Sequence, residues 1–199
     1  MRPHHLPPRG PLAVSGLTWA QRWKRSYSAV LTLEDPDQRQ SRRLRFHQDP
    51  HPDHLVLCFV DMDRPAPPAY ASMPSFRMAE RADIERALEF GRASASGGRL
   101  LVHCNVGVGR SPAVALAIIA DRLGPGRERE ALDELIRIRP QSVPNLHILA
   151  LADAILGRDG ALVQTVLEWE RDKPENTARR RDNRAAHLAY YGVPLGADD

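Results

Sequence analysis

The sequence predicts an α/β fold: a mostly parallel central sheet of four to five strands flanked by helices, with a helical C-terminal half. Three observations carry this. Short apolar runs bounded by turn residues alternate with longer amphipathic stretches as far as residue 111, the signature of strand and crossover helix. Beyond that point every apolar pattern has helical spacing. The chain of 199 residues, 42% hydrophobic and 27% charged, is long enough for one well-buried core and is balanced like an ordinary globular protein.

In chain order, "PLAVSGL" and "SAVLTLED" are candidate strands, and "TWAQRWKRSY" between them has the mixed composition of a helix. "DPDQRQSRRLRFHQDPHPD" is polar and punctuated by proline, with room for a short helix before "HLVLCFVD", a buried strand that Asp61 would end. The proline-rich "MDRPAPPAYASMP" cannot be regular structure. Ser75 is the expected N-cap of the next helix, whose apolar stripe is Phe76, Ala79, Ile84, Ala87, Leu88 and Phe90. "RLLVHC" is the last strand. Helices are then expected over Ser111–Leu123, Arg127–Ile138, Pro144–Leu156 and Ala161–Glu170. Residues 1–170 read as one domain and 171–199 as a polar, arginine-rich tail, partly helical, whose "RRR" at 179–181 is expected to be solvated.

Composition excludes several classes. Two cysteines, Cys58 and Cys104, make neither a disulfide framework nor a structural zinc site. A formal charge of +3 describes no nucleic-acid surface. The longest apolar run, Ala113–Ala120, is too short to cross a bilayer and the N-terminal residues have no signal core, so no membrane insertion and a cytoplasmic location are expected. The histidines of "HQDPHPDH" lack helical spacing and read as a solvated loop, so no metal is expected.

The chemistry concentrates in "HCNVGVGRS", residues 103–111. A dinucleotide fingerprint needs a third glycine where Pro112 stands, and a Walker loop needs a lysine that is absent. What remains is C-x-x-x-x-x-R-S between strand and helix. Wound as an anion nest, the N–H groups of Asn105, Val106, Gly107, Val108 and Gly109 would surround a phosphate-sized ligand at a helix N-terminus. Nest, helix dipole and the Arg110 guanidinium each favour thiolate over thiol at Cys104. Arg110 offers a planar fork for two phosphoryl oxygens, and Ser111 can donate to the cysteine sulfur as it leaves.

This stretch resembles the H-C-x-x-x-x-x-R-S/T signature of the cysteine-dependent protein tyrosine phosphatases. "RPQSVPN", residues 139–145, is similar to the R-P-x-x-P-N segment of the dual-specificity branch, one residue longer. "FVDMDRPAPP" stands where that family carries its mobile acid loop. The likeness spans roughly residues 12–157 and is greatest to compact bacterial-type members. It implies a phosphomonoester hydrolase for phosphotyrosine, and also phosphoserine or phosphothreonine, working without cofactor through a phosphocysteine. It further implies an aspartic acid at Asp61 or, two residues on, Asp63, with His103 and Asn145 bracing the loop. Partners would be a phosphorylated protein or a small phosphoester. A phospho-binding adapter without turnover and a phosphatase for inositol phosphates are the alternatives. Cys58 reads as a small buried hydrophobe or, under oxidation, as a disulfide partner of Cys104.

Overall fold

The computed structural model describes residues 10–36, 51–64, 76–95 and 97–191. Four strands, β1 (Leu12–Gly16), β2 (Ala29–Glu34), β3 (His54–Cys58) and β4 (Leu100–Cys104), form one parallel sheet in the order β1-β4-β2-β3. The register pairs Val14 with Val102, Leu31 with Val102 and Leu33 with Leu57. The two inner strands, β2 and β4, are buried along their whole length, whereas β3 on the edge is mostly not. Continuous burial is what a parallel strand covered on both faces requires.

Seven helices occur among the described residues: α1 (Leu17–Trp23), α2 (Arg81–Ala93), α3 (Arg110–Leu123), α4 (Glu128–Ile138), α5 (Leu146–Leu156), α6 (Ala161–Glu170) and α7 (Pro174–Tyr190). Helix α1 covers one sheet face through Ala20, beside Ala13, Val30 and Leu101. The larger core fills the other face. At its centre lies α3, buried at every residue from Arg110 to Ala120 and packed against β4, α2, α4 and α5. A helix apolar all round needs neighbours on every side, and this one carries its N-terminus to the carboxyl end of β4.

The helical second half forms as expected, with α6 spanning the predicted residues and the others starting one or two residues away. Three expectations are corrected. Ser75 lies outside the described residues, and the N-cap of α2 is Glu80, which forms a reciprocal capping box with Asp83. Strand β3 ends at Cys58: the Phe59 amide makes the last bond to β2, at Glu34 O, and the Val60 amide turns away to Arg77 O. Asp61 therefore lies three residues beyond the strand. The histidine stretch is not simply solvated: His51 is buried with Nε2 2.8 Å from Tyr27 O, and His54 Nε2 lies 2.7 Å from Thr32 Oγ1. The possible helix in the preceding polar segment falls largely outside the described residues. No described helix is long and apolar enough to cross a membrane.

Candidate active site

Strand β4 ends at Cys104 and α3 begins at Arg110, so five residues must turn the chain through the space between them. Their carbonyls are all drawn outward. Asn105 O accepts from Leu17 N (3.0 Å), Val108 O from Val143 N (2.8 Å), and Gly109 O from Ala113 N (3.1 Å) and Asn145 N (3.3 Å). Arg139 donates to Gly107 O at 2.9 Å and to Val106 O at 3.2 Å. With the carbonyls taken from outside, the opposite side of the loop presents N–H groups, as a nest requires. One of them, Gly107 N–H, reaches Cys104 Sγ at 3.2 Å.

Two glycines make the winding possible. Gly107 has φ of 79°, and a Cβ there would stand 2.4 Å from the Ser15 carbonyl carbon, so both conformation and space exclude a side chain. At Gly109 a Cβ would lie 2.5 Å from Asp61 Oδ2. That glycine lets the aspartate carboxylate rest directly on the loop.

Cys104 is buried and also accepts from Ser111 Oγ at 3.2 Å, a hydroxyl that lies 3.5 Å from Ser15 O. Two donors and the N-terminus of α3 thus face the sulfur. Arg110 is 2% exposed. Its Nη1 donates to Phe59 O at 2.6 Å and its Nη2 to Asp35 at 3.1 Å, while Nε has no hydrogen-bond partner among the described residues. Burial works against its charge, but Asp35, Asp61 and Cys104 outweigh burial and hold the guanidinium above the usual arginine range.

The two candidate acids are held differently. Asp61 accepts from Asn145 Nδ2 at 2.8 Å and stands 4.0 Å from Arg110 Nε. Asp63 points away, accepting from Leu146 N at 3.3 Å and from Arg180 at 3.0 Å. Burial raises the Asp63 carboxyl above its usual range; Arg180 opposes this and Asp61 adds to it. Asn145 spans the site: its Oδ1 caps α5 through Ile148 N (3.1 Å), so one side chain both caps that helix and holds Asp61.

His103 is fully buried, with Nε2 2.7 Å from Thr32 Oγ1 and Nδ1 3.4 Å from Cys104 O. Burial pulls its pKa down to about 3. The ring is neutral at ordinary pH and braces the end of β4 by hydrogen bonds, without supplying positive charge to Cys104.

Sequence reasoning missed Asp35, Thr32, Arg180 and Asn183, and it took in Arg139 only as the first residue of the 139–145 segment. Asp35 follows β2 at a carboxyl end, the one local signal available; the others reach the site only through folding. Arg180 also corrects the solvated reading of "RRR": it pairs with Glu170 at 2.7 Å and with Asp63. Asn183 donates to Asp61 O at 2.9 Å, and Leu188 is buried with Val60 and Met62. Between the loop, the aspartates and α7 lies a cavity of about 340 Å3.

The disulfide reading of Cys58 fails on topology. Strand β2 separates β3 from β4, which puts the two cysteines about 10 Å apart, beyond the roughly 7 Å a disulfide spans. Leu57 pairs with Leu33, and His103 with Thr32, so Cys58 also faces the opposite side of the sheet from Cys104.

A parallel sheet whose β4 delivers a cysteine into a nest at the head of a buried helix is the fold of the cysteine-based dual-specificity phosphatases. Human DUSP28 is similar at 19% identity, over 72% of this chain and 90% of its own, with a TM-score of 0.51. PTPMT1 is similar at 17% identity over 75% and 94%, with a TM-score of 0.50. A mutant form of Tk-PTP is similar at 19% identity over 76% and 93%, also with a TM-score of 0.50. At these identities the likeness is one of fold. No family model matches the chain, and no curated protein matches it.

Proposed function

We propose that this protein is a phosphomonoester hydrolase that dephosphorylates phosphotyrosine, and also phosphoserine or phosphothreonine, through a phosphocysteine intermediate. The observation that carries this reading is the loop itself. Its outward carbonyls leave a nest around Cys104 Sγ, with Arg110 Nε buried beside it without a partner among the described residues. An unpaired buried N–H is costly, and a phosphoryl oxygen would satisfy it.

In the first step Cys104 thiolate attacks phosphorus, the bond to the leaving oxygen breaks, and Asp61 passes that oxygen a proton. In the second, Asp61 takes a proton from water as the water oxygen attacks phosphorus, releasing inorganic phosphate and Cys104 thiolate. Ser111 donates to the departing sulfur. The nest N–H groups and Arg110 stabilise the equatorial oxygens in both steps. Asp61 is assigned the proton because its carboxylate rests on Gly109 beside Arg110, whereas Asp63 is engaged with Arg180 and the head of α5.

Purified protein is expected to hydrolyse phosphotyrosine peptides in the presence of a chelator, with Cys104→Ser and Arg110→Ala reduced at least about a thousandfold. Full activity in Cys104→Ser would overturn the mechanism. Acid quench during turnover is expected to trap phosphate on wild-type protein and none on Cys104→Ser.

A further inference from the structure

The cavity in front of the loop has one wall from α7, formed by Arg179, Arg180 and Asn183, facing Asp61, Asp63 and Gly109. Most of its polar groups are already engaged. Asp61 is held by Asn145, Asp63 by Arg180 and Leu146 N, Arg180 by Glu170 and Asp63, and Asn183 by the Asp61 carbonyl. Arg179 differs. It is exposed at the rim, and no hydrogen bond or ion pair engages it among the described residues.

The order of groups across the cavity then sorts a substrate. The phosphoryl group belongs at the nest, and its leaving oxygen passes Asp61. Beyond Asp61, Arg179 lines the same cavity from α7 and, being exposed, attracts a second anion there. Arg180, one residue on, is neutralised by its two carboxylates and does not share the task. We infer that Arg179 is a specificity-determining residue, selecting phosphotyrosyl substrates that carry an acidic side chain beside the phosphotyrosine. This rests on the phosphatase reading above.

An ion pair at an exposed rim is worth at most about 1 kcal/mol, or roughly fivefold in kcat/KM, and it weakens with salt. The test compares matched phosphotyrosine peptides with glutamate or glutamine on either side of the phosphotyrosine. Wild-type protein is expected to prefer the acidic peptide about fivefold at low ionic strength, with the preference fading as salt rises. Arg179→Gln is expected to bring the ratio of kcat/KM values close to one, and Arg179→Glu to invert it. Arg181→Gln is the control, since Arg181 is paired with Asp182 and stands off the cavity wall; it is expected to leave the ratio unchanged. Wild-type indifference to acidity, or an equal loss of preference in Arg181→Gln, overturns the inference while the phosphatase reading stands. Failure of wild-type protein to hydrolyse either peptide rejects both.

Discussion

The Cys104–Arg110 loop and the Phe59–Asp63 segment meet at Gly109, yet they are held in place by different means. The loop lies between two buried elements, and its carbonyls are taken by donors from the head of α1, α3, and the 139–145 stretch. The acid segment has left its strand. Its anchors are Arg77, Asn145 and above all α7, whose Arg180, Asn183 and Leu188 reach it from over a hundred residues away. The nest is thus over-determined, whereas the acid depends on a helix near the end of the chain. Under the proposed mechanism, a rigid anion site would stand beside a more loosely tethered proton donor, which suits a group that must release product as well as serve it.

The largest effects are expected from removing each carboxylate singly. Asp61→Asn is expected to lower kcat by about a hundredfold or more on a phosphoester with a poor leaving group, and much less on an activated aryl phosphate. Asp63→Asn is expected to act chiefly on the docking of α7. The opposite pattern in leaving-group dependence would transfer the acid role to Asp63. Next in size is Leu188→Ala, which empties part of the small core under the acid segment and costs about 3 kcal/mol of packing. Hydrogen exchange should then speed up through α7 and the acid segment while the loop stays protected; uniform acceleration would show that the two regions are not separately held.

Arg139→Ala tests the loop from behind. Freeing the Gly107 and Val106 carbonyls from their shared donor is expected to cost about 2 kcal/mol of anion binding, read as roughly thirtyfold weaker inhibition by inorganic phosphate. Unchanged inhibition would mean that the other outward bonds suffice. A separate effect is one of pH. The folded pKa of His103 is about 3, below its unfolded value near 6.5, so the unfolded chain binds the extra proton between those limits. The neutral ring costs nothing above pH 6.5. Below it, stability falls by up to about 1.4 kcal/mol per pH unit until protonation of the folded ring near pH 3. Denaturant titrations from pH 7 to 4 should show this slope, and His103→Gln should flatten it.

Much of the site was legible because it is contiguous. Cys104, Gly107, Gly109, Arg110 and Ser111 fall within eight residues, and their spacing alone describes a nest with a nucleophile at its floor. The strands and late helices were legible through periodicity. Less visible were the groups that hold this loop and its acid. Arg139 lies 32 residues from Gly107, Asp35 75 from Arg110, and Arg180 117 from Asp63. Of these only Arg139 stands in a recognisable stretch, "RPQSVPN", and the α7 arginines read like any solvated charge run.

Local sequence carried the Cys104–Arg110 loop and the parallel sheet that presents it, since backbone winding and hydrophobic period are properties of neighbouring residues. Folding in three dimensions gave Asp61 and Asp63 different partners, separated Cys58 from Cys104 by a strand, and brought α7 into the site. Those outcomes depend on which distant groups meet once loop-closure entropy has been met by burial of the core, and a carboxylate's role is set by the partner it finds there.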